Sequence, residues 1–272
     1  MLDEFKGRTA VVSGAAEGIG RALALAFADA GLNVGLLDIN SEAVSTLARE
    51  IAAKGVKSAI GVCDVSLRDQ VDSAASSVES ALGPASLVWA NAGVGSMGGV
   101  MGMPEDELDW IYSVNVNGML NFVRRFGGPL QKLEGPRHIG LTASVSGLTA
   151  IGAYAAGYGA TKFAVIGIGE ALKAELEDID IGVTILCPGL VNTRIWDAGK
   201  ARPERFGGQS HLPEEVGDRW REHGMTPDWV ASEAVRTVQS GGGYISPVDP
   251  HSRDDFDSRA AMIRSSFSFP PG

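Results

Sequence analysis

Tyr158 and Lys162 stand four residues apart in the run Tyr158-Gly159-Ala160-Thr161-Lys162, one turn of a helix. A free phenol titrates near pH ~10 and is a poor base at neutral pH. An ammonium on the same helix face favours the phenolate and lowers that pKa. The pair therefore points to a tyrosine that gives and takes a proton. The spacing alone is common. Its meaning rests on whether the chain also supplies a substrate and a second reactant for that proton.

The elements that must position the pair follow from hydrophobic patterning. Continuous apolar runs, of the kind buried on both faces of a parallel sheet, occur at Thr9–Ser13, Asn33–Asp38, Ser58–Val62, Leu87–Ala90, His138–Thr142 and Val183–Cys187. Between them lie helical segments at Gly18–Ala30, Ser41–Lys54, Leu67–Leu82, Glu105–Phe126 and Tyr154–Glu177, with Ser41 read as the cap of the second. This alternation predicts an α/β, Rossmann-like doubly wound parallel sheet in a single domain over residues 1–272. After the sixth strand the pattern fails, and residues 194–226 read as a lid or binding loop. Pro227–Gln239 resumes as a helix and Tyr244–Val248 as a last short strand, before a tail over about 250–272 with one helix at Phe256–Ile263.

The first strand runs into Ser13-Gly14-Ala15-Ala16-Glu17-Gly18-Ile19-Gly20, which opens the first helix. Glycines at 14, 18 and 20 permit a tight turn and close backbone approach. Free N–H groups and the dipole at the helix start favour a pyrophosphate. Asp38 ends the second strand 18 residues beyond Gly20, where a carboxylate accepts from the adenosine ribose hydroxyls and repels a 2′-phosphate. No Arg or Lys occurs from Gly14 through Gly20, and Ile39 follows the aspartate, so the expected cofactor is NAD rather than NADP. Asp64-Val65 and Asn91-Ala92-Gly93 end the third and fourth strands, the edge at which open α/β sheets bind ligands. Asp64 is expected at the adenine amino group. Asn91 is expected to brace the sheet, with the cofactor passing the backbone of Ala92 and Gly93.

Composition narrows the partners. The net charge of −10 disfavours phosphate backbones, so no nucleic-acid partner is expected. No stretch has the length and apolarity of a membrane span, and the acidic N-terminus lacks an apolar signal segment, so a cytoplasmic protein is expected. Cys63 and Cys187 have no metal-ligand spacing and read as buried thiols; no metal is expected.

The order and spacing of these pieces, from about Thr9 to Thr193, resemble the short-chain dehydrogenase/reductase family in its compact single-domain branch. The resemblance is carried by the glycine run, Asp64, Asn91-Ala92-Gly93, Asn115 in Val114-Asn115-Val116-Asn117-Gly118, Ser144, Tyr158 with Lys162, and Pro188-Gly189 leading to Thr193. Ser13, Ala90 and Thr161 depart mildly from the family's usual Thr, Asn and Ser. Ser144 lies 14 residues before Tyr158, one more than expected, which leaves Ser146 as a competing candidate; Ser144 is favoured because it stands three residues before Gly147.

The resemblance implies reversible hydride transfer between NAD(H) and a secondary alcohol or ketone. It assigns Tyr158 as acid/base and Ser144 to the substrate oxygen. Lys162 would act on the Tyr158 pKa and the nicotinamide ribose. Asn115, through its side chain or a local backbone distortion, would hold a proton-relaying water, with a packing amide as the alternative. Val191 and Thr193, after Pro188-Gly189, would contact the carboxamide. Family members are commonly tetramers, so a homo-oligomer, tetramer or dimer, is implied.

Trp196, Phe206, Leu212, Trp220 and Met225 punctuate the lid; they suit a bulky apolar or aromatic substrate, or pack the lid onto the domain. The stretch from Ala201-Arg202-Pro203 through Tyr244-Ile245-Ser246-Pro247 resembles dehydrogenases that oxidise the benzylic alcohol of lignin-derived aryl ethers. Two other readings share parts of the pattern. A non-catalytic NAD-binding regulatory protein would need the glycine loop but not Ser, Tyr, Lys and Asn together. A nucleotide-sugar epimerase or dehydratase would need a larger substrate domain than this length leaves.

Overall fold

The computed structural model describes residues 2–149, 155–212, 214–248 and 250–268. Seven parallel strands form one sheet in the order β3-β2-β1-β4-β5-β6-β7. They are β1 (Thr9–Ser13), β2 (Asn33–Asp38), β3 (Ser58–Val62), β4 (Ala85–Ala90), β5 (His138–Thr142), β6 (Gly182–Leu186) and β7 (Gly242–Ile245). Strand order reverses between β1 and β4, so their carboxyl ends flank the crevice in which such sheets bind ligands.

The helices cover both faces. On one, α1 (Gly18–Asp29), α2 (Ser41–Ala53) and α8 (Pro227–Gln239) bury Leu23, Phe27, Leu47, Ile51, Val230 and Ala234 against β1, β2 and β6. On the other, α3 (Arg68–Leu82), α4 (Glu105–Tyr112), α5 (Met119–Leu130) and α6 (Ala156–Leu176) bury Val71, Val78, Ile111, Phe122, Phe126 and Val165. The strands are buried on both sides because both sides carry helices, which explains why they read as unbroken apolar runs. Phe122 and Phe126, one turn apart, pack ring against ring with centroids 4.8 Å apart.

Several boundaries differ from the sequence expectation for local reasons. Asn40, not Ser41, caps α2: its side chain accepts from the Ala43 N–H at 3.0 Å. The predicted helix Glu105–Phe126 is interrupted by a π-turn over Ser113–Gly118 and then runs on to Leu130, with Pro129 inside its last turn. Gly118 fits beneath Val65 at this turn, since a Cβ there would stand 2.7 Å from Val65 Cγ2. The lid contains 3₁₀ turns at Ile195–Ala201 and Glu204–Phe206 and a helix, α7 (Glu214–His223), whose apolar periodicity is too sparse to read. The tail helix α9 spans Pro250–Ser265, longer than Phe256–Ile263. The expected start of α6 at Tyr154 and the last residues of the tail lie outside the described residues.

The lid is closed at its base. The Met225 N–H donates to Leu190 O and the Asn192 N–H to Met225 O, at 2.9 and 2.8 Å, tying its exit to its entry. Two ion pairs then hold it down: Arg202 to Glu107 of α4 at 3.2 Å and Arg205 to Asp64 at 2.7 Å.

Candidate active site

The turn after β1 is built from what its glycines lack. Gly14 has φ +63°, and a Cβ there would stand 2.8 Å from Ala92 Cα. A Cβ on Gly20 would overlap Gly14 O. The turn therefore lies directly on the end of β4, and α1 begins there with no side-chain cap on its first N–H groups. Those donors, and the positive end of the helix dipole, are left facing the cleft.

Polar groups lock this turn to the sheet. Ser13 Oγ accepts from the Asn91 and Ala92 N–H groups at 3.0 and 3.1 Å. Asn91 Nδ2 donates to Gly14 O, and its Oδ1 accepts from Thr142 Oγ1, which in turn accepts from Trp89 Nε1 at 3.0 Å. Asn91 thus braces the sheet as expected. Asp38 has two main-chain donors, Ala16 N–H on Oδ2 and Asn40 N–H on Oδ1, each at 2.9 Å. The end of β2 is thereby fixed to the glycine turn.

A cleft of about 690 Å³ runs from this turn to Tyr158, within the size range of ligand sites. Gly14, Glu17, Gly18, Ile19, Asp38 and Ile39 line one end, with Asn91, Ala92 and Gly93 along the floor. Ser144, Ser146, Tyr158, Lys162, Pro188, Gly189, Val191, Thr193 and Trp196 complete its lining. Thr193 packs on the glycine turn, as a Cβ on Gly18 would stand 2.9 Å from its Cγ2. Gly20 shapes the turn from behind the cleft surface.

Tyr158 and Lys162 share one face of α6, as their spacing requires, and Lys162 Nζ lies 5.6 Å from the Tyr158 ring centroid. The buried Lys162 donates to Thr142 O at the end of β5, at 3.0 Å. Burial lowers its pKa to about 8. Burial raises the Tyr158 pKa to about 12, and the Ser144 side chain beside it pulls the other way without offsetting that rise. The expected depression by Lys162 is therefore not the balance: loss of water around the phenolate dominates. Ser144 begins the turn Val145–Gly147 and accepts from the Ser146 N–H at 3.2 Å. Ser146 lines the cleft beside it.

Two expected groups sit differently. Asp64 and Val65 are not on the cleft surface. Asp64 accepts from Ser66 Oγ at 2.6 Å and from Arg205 at 2.7 Å. These bonds hold its pKa down against burial. Its carboxylate serves the lid instead of standing open for an adenine. Asn115 is fully buried in the π-turn: its side chain accepts from the Val94 N–H and donates to Val94 O and Thr161 Oγ1 at 2.8, 3.0 and 3.0 Å. The side chain thus takes the part of the packing amide, the alternative named for it, while the backbone of this segment is distorted into a π-turn.

Sequence reading gave no site role to Thr142, Ser13 or Arg194. Thr142 and Ser13 stand at strand ends, a position that could have flagged them. Arg194 bonds to a residue 177 positions away, for which no local signal exists.

The lid brings Ile195, Trp196, Ala198, Leu212 and Trp220 to the cleft with Met97 and Leu190, and Asp197 and Lys200 share the lining. Trp196 lies between Gly217, where a Cβ would stand 2.8 Å from its ring, and the Arg221 guanidinium at 5.1 Å. It both lines the cleft and packs the lid. Among the described residues there is no cluster of metal-ligating side chains, and no helix is long and apolar enough to cross a membrane.

A doubly wound sheet with a glycine turn at its switch point, and a Ser–Tyr–Lys cluster in the same cleft, defines a dinucleotide-dependent type of oxidoreductase. The short chain dehydrogenase family model matches residues 8–203, and the chain belongs to that family. It is 29% identical over 267 residues to the C alpha-dehydrogenase of Sphingobium sp. (strain NBRC 103272 / SYK-6), covering 96% of this chain and 87% of that protein. It is 35% identical over 239 residues to the 1-deoxy-11-beta-hydroxypentalenate dehydrogenase of Streptomyces avermitilis, covering 87% and 88%. The crystal structure of a Burkholderia phymatum short chain dehydrogenase/reductase in complex with NAD superposes with a TM-score of 0.90 at 28% identity, covering 99% of each chain.

Proposed function

We propose that the chain transfers a hydride between NAD(H) and a secondary alcohol or ketone whose flanking group is bulky and apolar or aromatic. The observation that carries this reading is the meeting of Ser144, Tyr158 and Lys162 on one cleft that leads to the glycine turn. NAD, when bound, supplies the hydride acceptor and NADH the donor. The uncapped N–H groups of α1 suit its pyrophosphate, and Glu17, Gly18 and Ile19 border it. Asp38 and Ile39 suit the adenosine ribose, the backbone of Ala92 and Gly93 the middle of the molecule, and Pro188, Gly189, Val191 and Thr193 the nicotinamide amide.

Tyr158 Oη takes the alcohol proton during oxidation and returns it during reduction. Ser144 Oγ holds the same substrate oxygen and stabilises charge developing there. Lys162, fixed by Thr142 O, would hold the cofactor ribose and, as an ammonium beside the Tyr158 ring, would favour the phenolate. Asn115 keeps the π-turn in the distorted form that would hold a relaying water behind Lys162. The apolar lid end supports an aryl or alicyclic substrate, and the similarity to the C alpha-dehydrogenase makes benzylic alcohols the first class to assay. Ser146 and Trp196 would border that substrate. The reading places a cytoplasmic homo-oligomer, tetramer or dimer, with no nucleic-acid or membrane partner.

The test is NADH formation by the full chain across a panel of aryl, alicyclic and steroid secondary alcohols, with ketone reduction run in parallel. Turnover of an aryl member at a higher kcat/KM than the steroids supports the reading. Binding of NAD without turnover of any member would favour the regulatory protein instead.

A further inference from the structure

Arg194 and Glu17 close the rim of the cleft at its pyrophosphate end. Arg194 Nη1 donates to Glu17 Oε1 at 2.9 Å, and Nη2 donates to Asp197 Oδ2 at 2.9 Å. Asp197 is nearly buried and is also paired with Lys200 at 2.7 Å, so it stays in place as a fixed anchor. Glu17, in contrast, is the residue before α1 and leaves the first N–H groups of that helix uncapped. Thr193, the neighbour of Arg194, rests directly on Gly18. One guanidinium nitrogen is therefore tethered to the lid. The other reaches the helix end where the glycine turn offers donors to an anion.

We infer that Arg194 is a pyrophosphate-binding residue and that Glu17 competes with the cofactor for its guanidinium. A pyrophosphate at the α1 N-terminus competes with the Glu17 carboxylate for the same nitrogen, and as the more highly charged anion it wins. Glu17 is then the cost of binding: its carboxylate loses its cation and faces a like charge.

This inference rests on the cofactor reading above. Its test is isothermal titration of the full chain with NAD, ADP-ribose and adenosine. Arg194→Met weakens NAD and ADP-ribose by about tenfold and leaves adenosine unchanged, whereas Glu17→Gln tightens NAD and ADP-ribose by a few-fold. Arg194→Lys retains the charge but not the fork and falls between wild type and Arg194→Met. The gap between wild type and Arg194→Met narrows as salt is raised. A merely structural ion pair predicts instead that both substitutions shift affinity in the same direction or not at all, and either result overturns the inference. Failure of the wild type to bind any of the three ligands overturns the cofactor reading itself, a separate outcome.

Discussion

Lys162 Nζ donates to the carbonyl oxygen of Thr142 at 3.0 Å. This bond joins the helix that carries Tyr158 to the strand that leads into Ser144. Thr142 Oγ1 in turn donates to Asn91, and Asn91 Nδ2 donates to Gly14 O. The proton-handling residues and the glycine turn are therefore held by one polar chain across the carboxyl ends of three strands. A buried network of this kind is rigid when fully satisfied and costly when broken.

Tyr158 and Lys162 should separate in kinetics. Tyr158→Phe removes only the hydroxyl, so NAD and NADH affinity by fluorescence titration stays at wild-type values while kcat falls by roughly 10²–10⁴. Lys162→Met leaves Thr142 O without its donor and removes the charge near the ribose, so cofactor affinity and kcat fall together. Turnover retained by Tyr158→Phe would reject Tyr158 as the acid/base.

Asp38 bears on cofactor choice and on the glycine turn together. Wild type prefers NAD to NADP at equal concentration, and Asp38→Ala narrows that preference by removing the charge that repels a 2′-phosphate. The same substitution deprives the Ala16 and Asn40 N–H groups of their acceptor. A loss of about 1 kcal/mol of stability in urea unfolding accompanies the change. A wild-type preference for NADP would refute the role given to Asp38.

Arg202 and Glu107, both mostly buried, pin the lid to α4, with Ser96 Oγ donating to the same carboxylate. Arg202→Ala loosens residues 194–226. The expected result is a raised KM for the alcohol, a smaller change in kcat, and faster cleavage of the lid in limited proteolysis. Unaltered KM and proteolysis would show that the base ties at Leu190, Asn192 and Met225 suffice.

His138 sets an acid limit on stability. Its ring is buried, with Nε2 2.8 Å from Thr184 Oγ1, and burial drops its pKa to about 3 from the ordinary 6.5. The unfolded chain binds this proton between about pH 6.5 and 3 while the folded chain does not, so stability falls as pH drops through that window. Tm should therefore decline below about pH 6.5. His138→Gln, which keeps a side-chain partner for Thr184 but cannot be protonated, should flatten that decline. An equally steep decline in the variant would assign acid lability elsewhere.

The sequence by itself determined what depends on neighbouring residues. Apolar runs located the first six strands because strands buried on both faces must be apolar throughout. Glycines at 14, 18 and 20 marked the turn because a Cβ there has no room, and the four-residue spacing put Tyr158 and Lys162 on one helix face. Only the tertiary structure decided pairings between distant segments. It gave Lys162 to Thr142, Asp64 to Arg205, and Arg194 to Glu17, and it put Asn115 in a π-turn whose buried amide spans Val94 and Thr161. The physical reason is that periodicity and steric exclusion act within a turn or a strand. Which carboxylate meets which cation, and how much water a phenol loses, is set by chain segments that meet only when the sheet is complete.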